Sequence, residues 1–288
     1  MVERIQEPIK GSSTLRSTAV IVLLLAGLIA LEIISPFKQV AYAHTFTGDE
    51  SASFLSIIKI MQAEADLVQS NLVSNLTTAQ DHAKAAVAVL NGNHTFGVLP
   101  DEVSENNERV ATNLRNAANS LQTVVISEPG PTQADVKMRV DNLNALLKEA
   151  VAVRVPKDHL SNFTVNGEVT RNLVNETLRQ YGYALGNSGD KAENASALAN
   201  SAAAPSQNSV VNMSAYQSAQ ALASQAQGMV TQTKTLIPAN TTSATIAKVV
   251  NDLSQLKNIF DTKCSYSNAA GLIEKIIYPN LDAIFHLK

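Results

Sequence analysis

The chain has 288 residues, with 22 basic and 25 acidic side chains, no tryptophan and a single cysteine. Residues 1–43 hold four of the basic and three of the acidic groups, which leaves the remainder with 18 against 22, a net charge of −4. That balance argues against nucleic acid and anionic lipid surfaces as partners, and Cys264 alone cannot form an internal disulfide. It reads as a small buried thiol in a helical core.

Taken in order, Arg4, Lys10 and Arg16 precede an apolar run over 19–34, Pro36 breaks the run, and Ala41-Tyr42-Ala43 follows. A basic start, an apolar middle and an A-x-A end make a secretory signal. The run also approaches the roughly 20 residues of a membrane-spanning helix, so residues 1–43 are a cleaved signal peptide or a retained anchor. The preceding basic residues put the N-terminus inside. Cleavage after Ala43 makes His44 the new N-terminus. Its amine and imidazole suit copper(II) in a square nitrogen set, and His82, His94, His159 and His286 are candidate further ligands, His82 first among them.

Seven N-x-S/T triplets follow the apolar segment, at Asn75, Asn93, Asn162, Asn175, Asn194, Asn212 and Asn240. They are expected glycosylation sites of an extracytoplasmic chain, with Asn75, Asn93, Asn162 and Asn240 at turns or helix starts.

The rest is periodic at three and four residues, which predicts helices. A first helix starts at Gly48-Asp49-Glu50-Ser51, with acidic groups at its positive end, and carries the stripe Phe54, Ile57, Ile58, Met61, Ala65, Val68, Leu72. A second is expected over 78–90, capped by Thr78 and Asp81. The third opens at Pro100-Asp101 and runs on through Val110, Leu114, Ala117, Leu121 and Val124. Glu128-Pro129-Gly130-Pro131 is a turn. A fourth helix spans 132–153 with Val136, Val140, Leu143, Leu147, Ala150 and Val151 inward, then a loop 156–167 and a fifth helix 168–185 using Leu173, Val174, Leu178 and Tyr181. Residues 186–208 are Ala, Ser and Asn with almost no large apolar side chain, the composition of a mobile loop. Helices over 211–237, 242–260 and 269–287 complete the chain, the last with Leu272, Ile273, Ile276, Ile277, Leu281, Ile284 and Phe285 inward and kinked or split by Pro279. No segment alternates as a strand. The expected fold is all-α: antiparallel helical bundles behind an N-terminal signal or anchor helix, one bundle over 49–155 and another over 165–288.

Candidate chemistry is sparse. A hairpin of the first two helices brings His82 near Val68 and Glu64. Asp282 and His286, at i and i+4, share a face and suit a surface salt bridge or a two-ligand site. The Glu-x-x-His pair of di-iron bundles is missing from the sequence, as are C-x-x-C, H-E-x-x-H, G-x-S-x-G and a phosphate-cradling glycine loop. No enzyme is expected.

The stretch AHTFTGDESASFL (43–55), with LVQSNL, NERVATNL (107–114) and AYQSAQALA (215–223), resembles a family of exported helical proteins of ammonia-oxidising archaea. The resemblance covers nearly all of the exported part and implies placement outside the cytoplasmic membrane. It transfers no catalytic residue. Family members often carry a histidine-rich insert where 186–208 lies; this chain has no histidine there, which argues against metal buffering. The expected role is structural or interactive, with a membrane-complex or envelope protein as partner and the membrane itself as a partner if the N-terminal helix is retained. The alternatives are an extracytoplasmic copper-binding protein using His44, or an accessory subunit of a membrane oxidase.

Overall fold

The computed structural model describes residues 45–92, 99–127, 130–187, 209–236 and 243–287. The expected signal or anchor segment, His44, His94 and residues 188–208 lie outside them. Among the described residues the fold is all-α, without strands, and no helix is long and apolar enough to cross a membrane. Residues Ala43–Lys288 cluster as one compact unit.

α1 (Gly48–Asn71) begins one turn after the A-x-A sequence. Thr47 caps it: its Oγ1 accepts from Glu50 N at 3.3 Å, and Glu50 Oε2 accepts from Thr47 N at 2.7 Å. α2 (Leu76–Leu90) starts earlier than expected because Asn75, not Thr78, supplies the cap. The expected third helix is two, α3 (Leu99–Ser104) and α4 (Glu108–Ile126), since Asn107 turns its side chain onto Val110 N and restarts the helix. α5 (Gln133–Arg154) follows its Thr132 cap.

The expected loop 156–167 is mostly helical. α6 (Lys157–Leu160) is a single turn, and α7 (Phe163–Ala184) starts five residues before the predicted Glu168 on an Asn162 cap. α8 (Met213–Gln232) ends in a 3-10 turn, Thr233–Leu236. α9 (Ser243–Asp261) precedes α10 (Tyr266–Leu272) and α11 (Tyr278–Phe285), which are joined by a π turn, Ile273–Ile277. Pro279 has no N–H to offer the turn before it, and the wider winding accommodates that. Ile276, expected inside, is exposed, because Ile273 and Ile277 take the inward face.

α1, α2, α4 and α5 each pack on the next and close a ring of four; α7, α8, α9 and the α10–α11 segment close a second. The pairings run antiparallel. Arg109 reaches Glu149 while Asn106 reaches Val153, and Gln220 reaches Asp261 while Gln227 reaches Ser254, one index rising as the other falls. α1 joins the rings by packing on α7 and α8 as well as on α2 and α5, so one continuous core runs through both. Alanines permit the close approach: Ala79, Ala83 and Ala86 on α2 and Ala219, Ala223 and Ala226 on α8 are all buried. α7 and α11 meet more closely still. A Cβ on Gly167 would lie 2.3 Å from the Phe285 Cβ.

Candidate functional site

His82 sits at the junction of the two rings, on the inward face of α2 and fully buried. Its Nδ1 is 2.7 Å from Glu64 Oε2 on α1, and its Nε2 is 3.0 Å from Gln217 Oε1 on α8. The orientation of each group follows from the next. Asn71 Nδ2 donates to Leu67 O at 2.9 Å, which sets the Asn71 amide. Asn71 and Gln217 then pair reciprocally, Nδ2 to Oε1 at 2.7 Å and Nε2 to Oδ1 at 3.0 Å. Gln217 therefore turns its carbonyl oxygen to His82, and Nε2 must carry a hydrogen. The remaining proton lies between Nδ1 and Glu64, whose other oxygen accepts from Ser218 Oγ at 2.6 Å. The serine meets the carboxylate and not the imidazole, so the set lacks the order of a nucleophilic triad. With both ring nitrogens engaged, His82 has no lone pair left for a metal in this arrangement.

The other singled-out residues are spread apart. Asp282 does not pair with His286. Its carboxylate faces Arg171 at 3.5 Å, and His286 adopts a left-handed conformation (φ 55°) just past α11, which carries its ring off the helical face. His159 Nδ1 meets Ser51 Oγ at 2.8 Å. Cys264 is half-buried in the turn after α9, not in a helical core, with its Sγ 3.2 Å from Thr262 Oγ1. Among the described residues no three His, Cys, Asp or Glu side chains are grouped to hold a metal.

Of the sequon asparagines, Asn75, Asn162 and Asn212 are exposed N-caps whose Oδ1 accepts the backbone N–H three residues on. The cap leaves Nδ2, the atom a glycan would use, outside the helix bond. Asn175 is exposed in the middle of α7, but Thr177 of the same triplet is buried. Asn93, Asn194 and Asn240 lie outside the described residues.

The chain enters the body through a clasp. The Arg154 guanidinium lies 3.8 Å from the centre of the Phe46 ring and binds Glu102 at 3.2 Å and Glu105 at 3.1 Å. Its side chain is 1% exposed while both carboxylates are about 40% exposed, so the cation is held inside and the anions meet water at the rim.

A cleft of about 410 Å³ opens between the rings, with α1 as part of its lining. Ile58 and Val169 are buried at its base, and Leu160 and Leu236 are exposed at its edge. Lys59 and Lys148 line it, and no carboxylate is among its lining residues. Lys59 is half-buried, and desolvation pushes its ammonium below the ordinary lysine range. Lys59 belongs to no motif, and its one signal in the sequence is its position inside the apolar run FLSIIKIM (54–61). No protein-family model, curated protein or solved structure matches the chain.

Proposed function

We propose that the chain is an exported, N-glycosylated helical-bundle protein with a structural or interaction role at the outer face of the cytoplasmic membrane, and that it is not an enzyme. The observation that carries this reading is a coincidence of boundaries. The compact unit begins at Ala43, the residue at which the A-x-A sequence ends, and Phe46 is already buried in the body. Cleavage after Ala43, or retention of the preceding segment as an anchor, would fall at that boundary. The capping sequons fit the same side of the membrane, because their Nδ2 atoms are not used by the fold. An interaction role is supported by where the polar interior groups go: Glu64, His82, Asn71, Gln217 and Ser218 bind one another across three helices. The partner class is a membrane complex or an envelope protein.

The test is intact mass measurement of the native protein with sequencing of its N-terminal peptide, alongside crosslinking on native membranes. The expected result is a chain that starts at His44 or is retained in the membrane by residues 19–34, carries glycan mass, and crosslinks to a membrane or envelope protein. An unglycosylated chain inside the cell would overturn it.

Copper binding by a mature His44 N-terminus is the second reading. It is favoured by the clasp at Phe46, which fixes where the chain leaves the body two residues after His44. Copper(II) titration of the mature chain and of His44→Ala decides it; equal affinity ends the reading.

A further inference from the structure

We propose that the cleft lined by Lys59 and Lys148 binds a single-chain amphipathic anion: an alkyl chain bearing a carboxylate head. Lys59 is half-buried on α1, and neither export nor partner docking bears on its surroundings. On its own helix the positions three and four residues away are Ser56, Leu55, Gln62 and Ala63, none of them acidic. No carboxylate lies within 4.0 Å of its ammonium among the described residues, and the side chain is flanked in sequence by the buried Ile58 and Ile60. A cation drawn partly out of water without a counterion is unfavourable. It is a poor arrangement for the folded body alone and a good one for a body that receives an anion.

Lys148, on α5, faces the same cleft and also has no carboxylate within that distance among the described residues. The cleft is therefore locally cationic on a body of net negative charge. The rest of its lining is mainly aliphatic, with Leu55, Val151 and Met229 between the buried base and the exposed edge. A free inorganic anion would meet the two ammoniums but leave that surface wet. A neutral lipid would cover the surface but leave Lys59 without a counterion. An acid with an alkyl tail satisfies both, and a charge-assisted bond to a half-buried lysine is the stronger kind.

Size agrees with the assignment. A 150 Å³ apolar cavity accommodates a benzene ring, so a cleft of about 410 Å³ has space for a chain of roughly ten to fifteen carbons. That volume lies within the usual range for small-molecule sites, which favour the seams between packed units. Here the seam is the one between the two helical rings.

The test is calorimetric titration of the full-length protein, purified without alkyl-chain detergent. The probes are decanoate below its micelle concentration, decanol, decyltrimethylammonium and inorganic phosphate. Decanoate is expected to bind more tightly than the other three. Lys59→Met is expected to weaken decanoate about tenfold or more, leaving decanol within about twofold, and Lys59→Arg to retain decanoate binding. Circular dichroism of each variant establishes that it is folded, and Lys148→Met supplies a second charge removal on a more exposed residue. The proposal is overturned if decanoate does not bind, if decanol or the cation binds as well as the acid, if phosphate alone matches decanoate, or if folded Lys59→Met and Lys148→Met both bind decanoate like the parent protein.

Discussion

His82 Nδ1 and Glu64 Oε2 stand 2.7 Å apart, with side-chain exposures of 0% and 2%, where α1 and α2 of one ring meet α8 of the other. A pair so placed gives little net stability by itself, because desolvation of both groups offsets their attraction. Removing one member is another matter. His82→Ala leaves the Glu64 carboxylate in the interior with the Ser218 hydroxyl as its remaining hydrogen-bond donor, and takes from Gln217 Oε1 one of its two donors, Asn71 Nδ2 being the other. The expected loss is about 3–5 kcal/mol, read as a lower urea midpoint. Replacing both, Glu64→Met with His82→Leu, is expected to recover much of it, since no charge is then stranded. A loss in His82→Ala below about 1 kcal/mol would show that the pair is not sealed in solution.

Gly167 and Phe285 provide a test of backbone packing. In an open helix, exchanging glycine for alanine gains about 1 kcal/mol. At Gly167 the new methyl would lie 2.3 Å from the Phe285 Cβ, inside contact distance. Overpacking of this kind costs about 1–3 kcal/mol, so Gly167→Ala is expected to lower the thermal midpoint. Gly271, with nothing within 4 Å of the corresponding methyl, is the control. Gly271→Ala is expected to be neutral or stabilising.

Gly167 also shows why parts of the fold were hard to read. The sequence reading put a loop over 156–167, and the predicted fifth helix began at Glu168, one residue after this glycine. The glycine is there because α11 crosses at that point, a contact between residues more than a hundred apart. The apolar stripes were legible because they repeat within one helix: Phe54 to Leu72, Val136 to Ala150 and Leu173 to Tyr181 face the core, while Val151, also expected inside, is half-buried. The nearness of His82 to Glu64 was legible because a short hairpin joins their helices. Gln217 and Ser218, which complete the network, were not, since nothing local ties α8 to α1. The break between α3 and α4 was signalled by Asn106-Asn107, a cap written inside an otherwise continuous pattern. Ile276 followed the stripe and still points outward, because a five-residue π turn does not keep the 3.6 period.

Lys59 makes a prediction whose sign depends on pH. Burial lowers its folded-state pKa below the ordinary 10.5. Between the lowered value and 10.5 the unfolded chain binds more protons than the folded one, so Lys59 makes stability rise with pH across that window. Below the window the full penalty is present. Lys59→Met is therefore expected to be more stable than the parent at pH 7, with the difference shrinking as pH rises above the folded value. Chemical unfolding at pH 7 and pH 10 checks both halves. A Met variant less stable at pH 7 would mean that Lys59 has a counterion in solution.

On the proposed reading of an N-glycosylated chain, the candidate sequons separate by the position of the triplet's third residue. A transferase must reach the asparagine amide and the hydroxyl two residues on. At Asn75 both Asn75 and Thr77 are exposed, and at Asn212 the Ser214 hydroxyl donates to Asn212 Oδ1 at 2.9 Å beside an exposed amide. At Asn175 the hydroxyl belongs to Thr177, which is 0% exposed within α7. Peptide mapping is expected to find glycan at Asn75, Asn162 and Asn212 and none at Asn175; occupancy at Asn175 would mean that modification precedes folding of α7. The choice of variant matters, because Asn75 is also a helix cap. Asn75→Gln removes glycan and cap together and is expected to cost about 1 kcal/mol from the cap alone. Thr77→Ala removes only the sequon, since the Asn75 Oδ1 bond to Thr78 N at 3.1 Å stays intact. Loss of one glycan mass in both variants, with a fall in unfolding midpoint confined mainly to Asn75→Gln, would establish that one asparagine caps the helix through its oxygen and carries the glycan through its nitrogen.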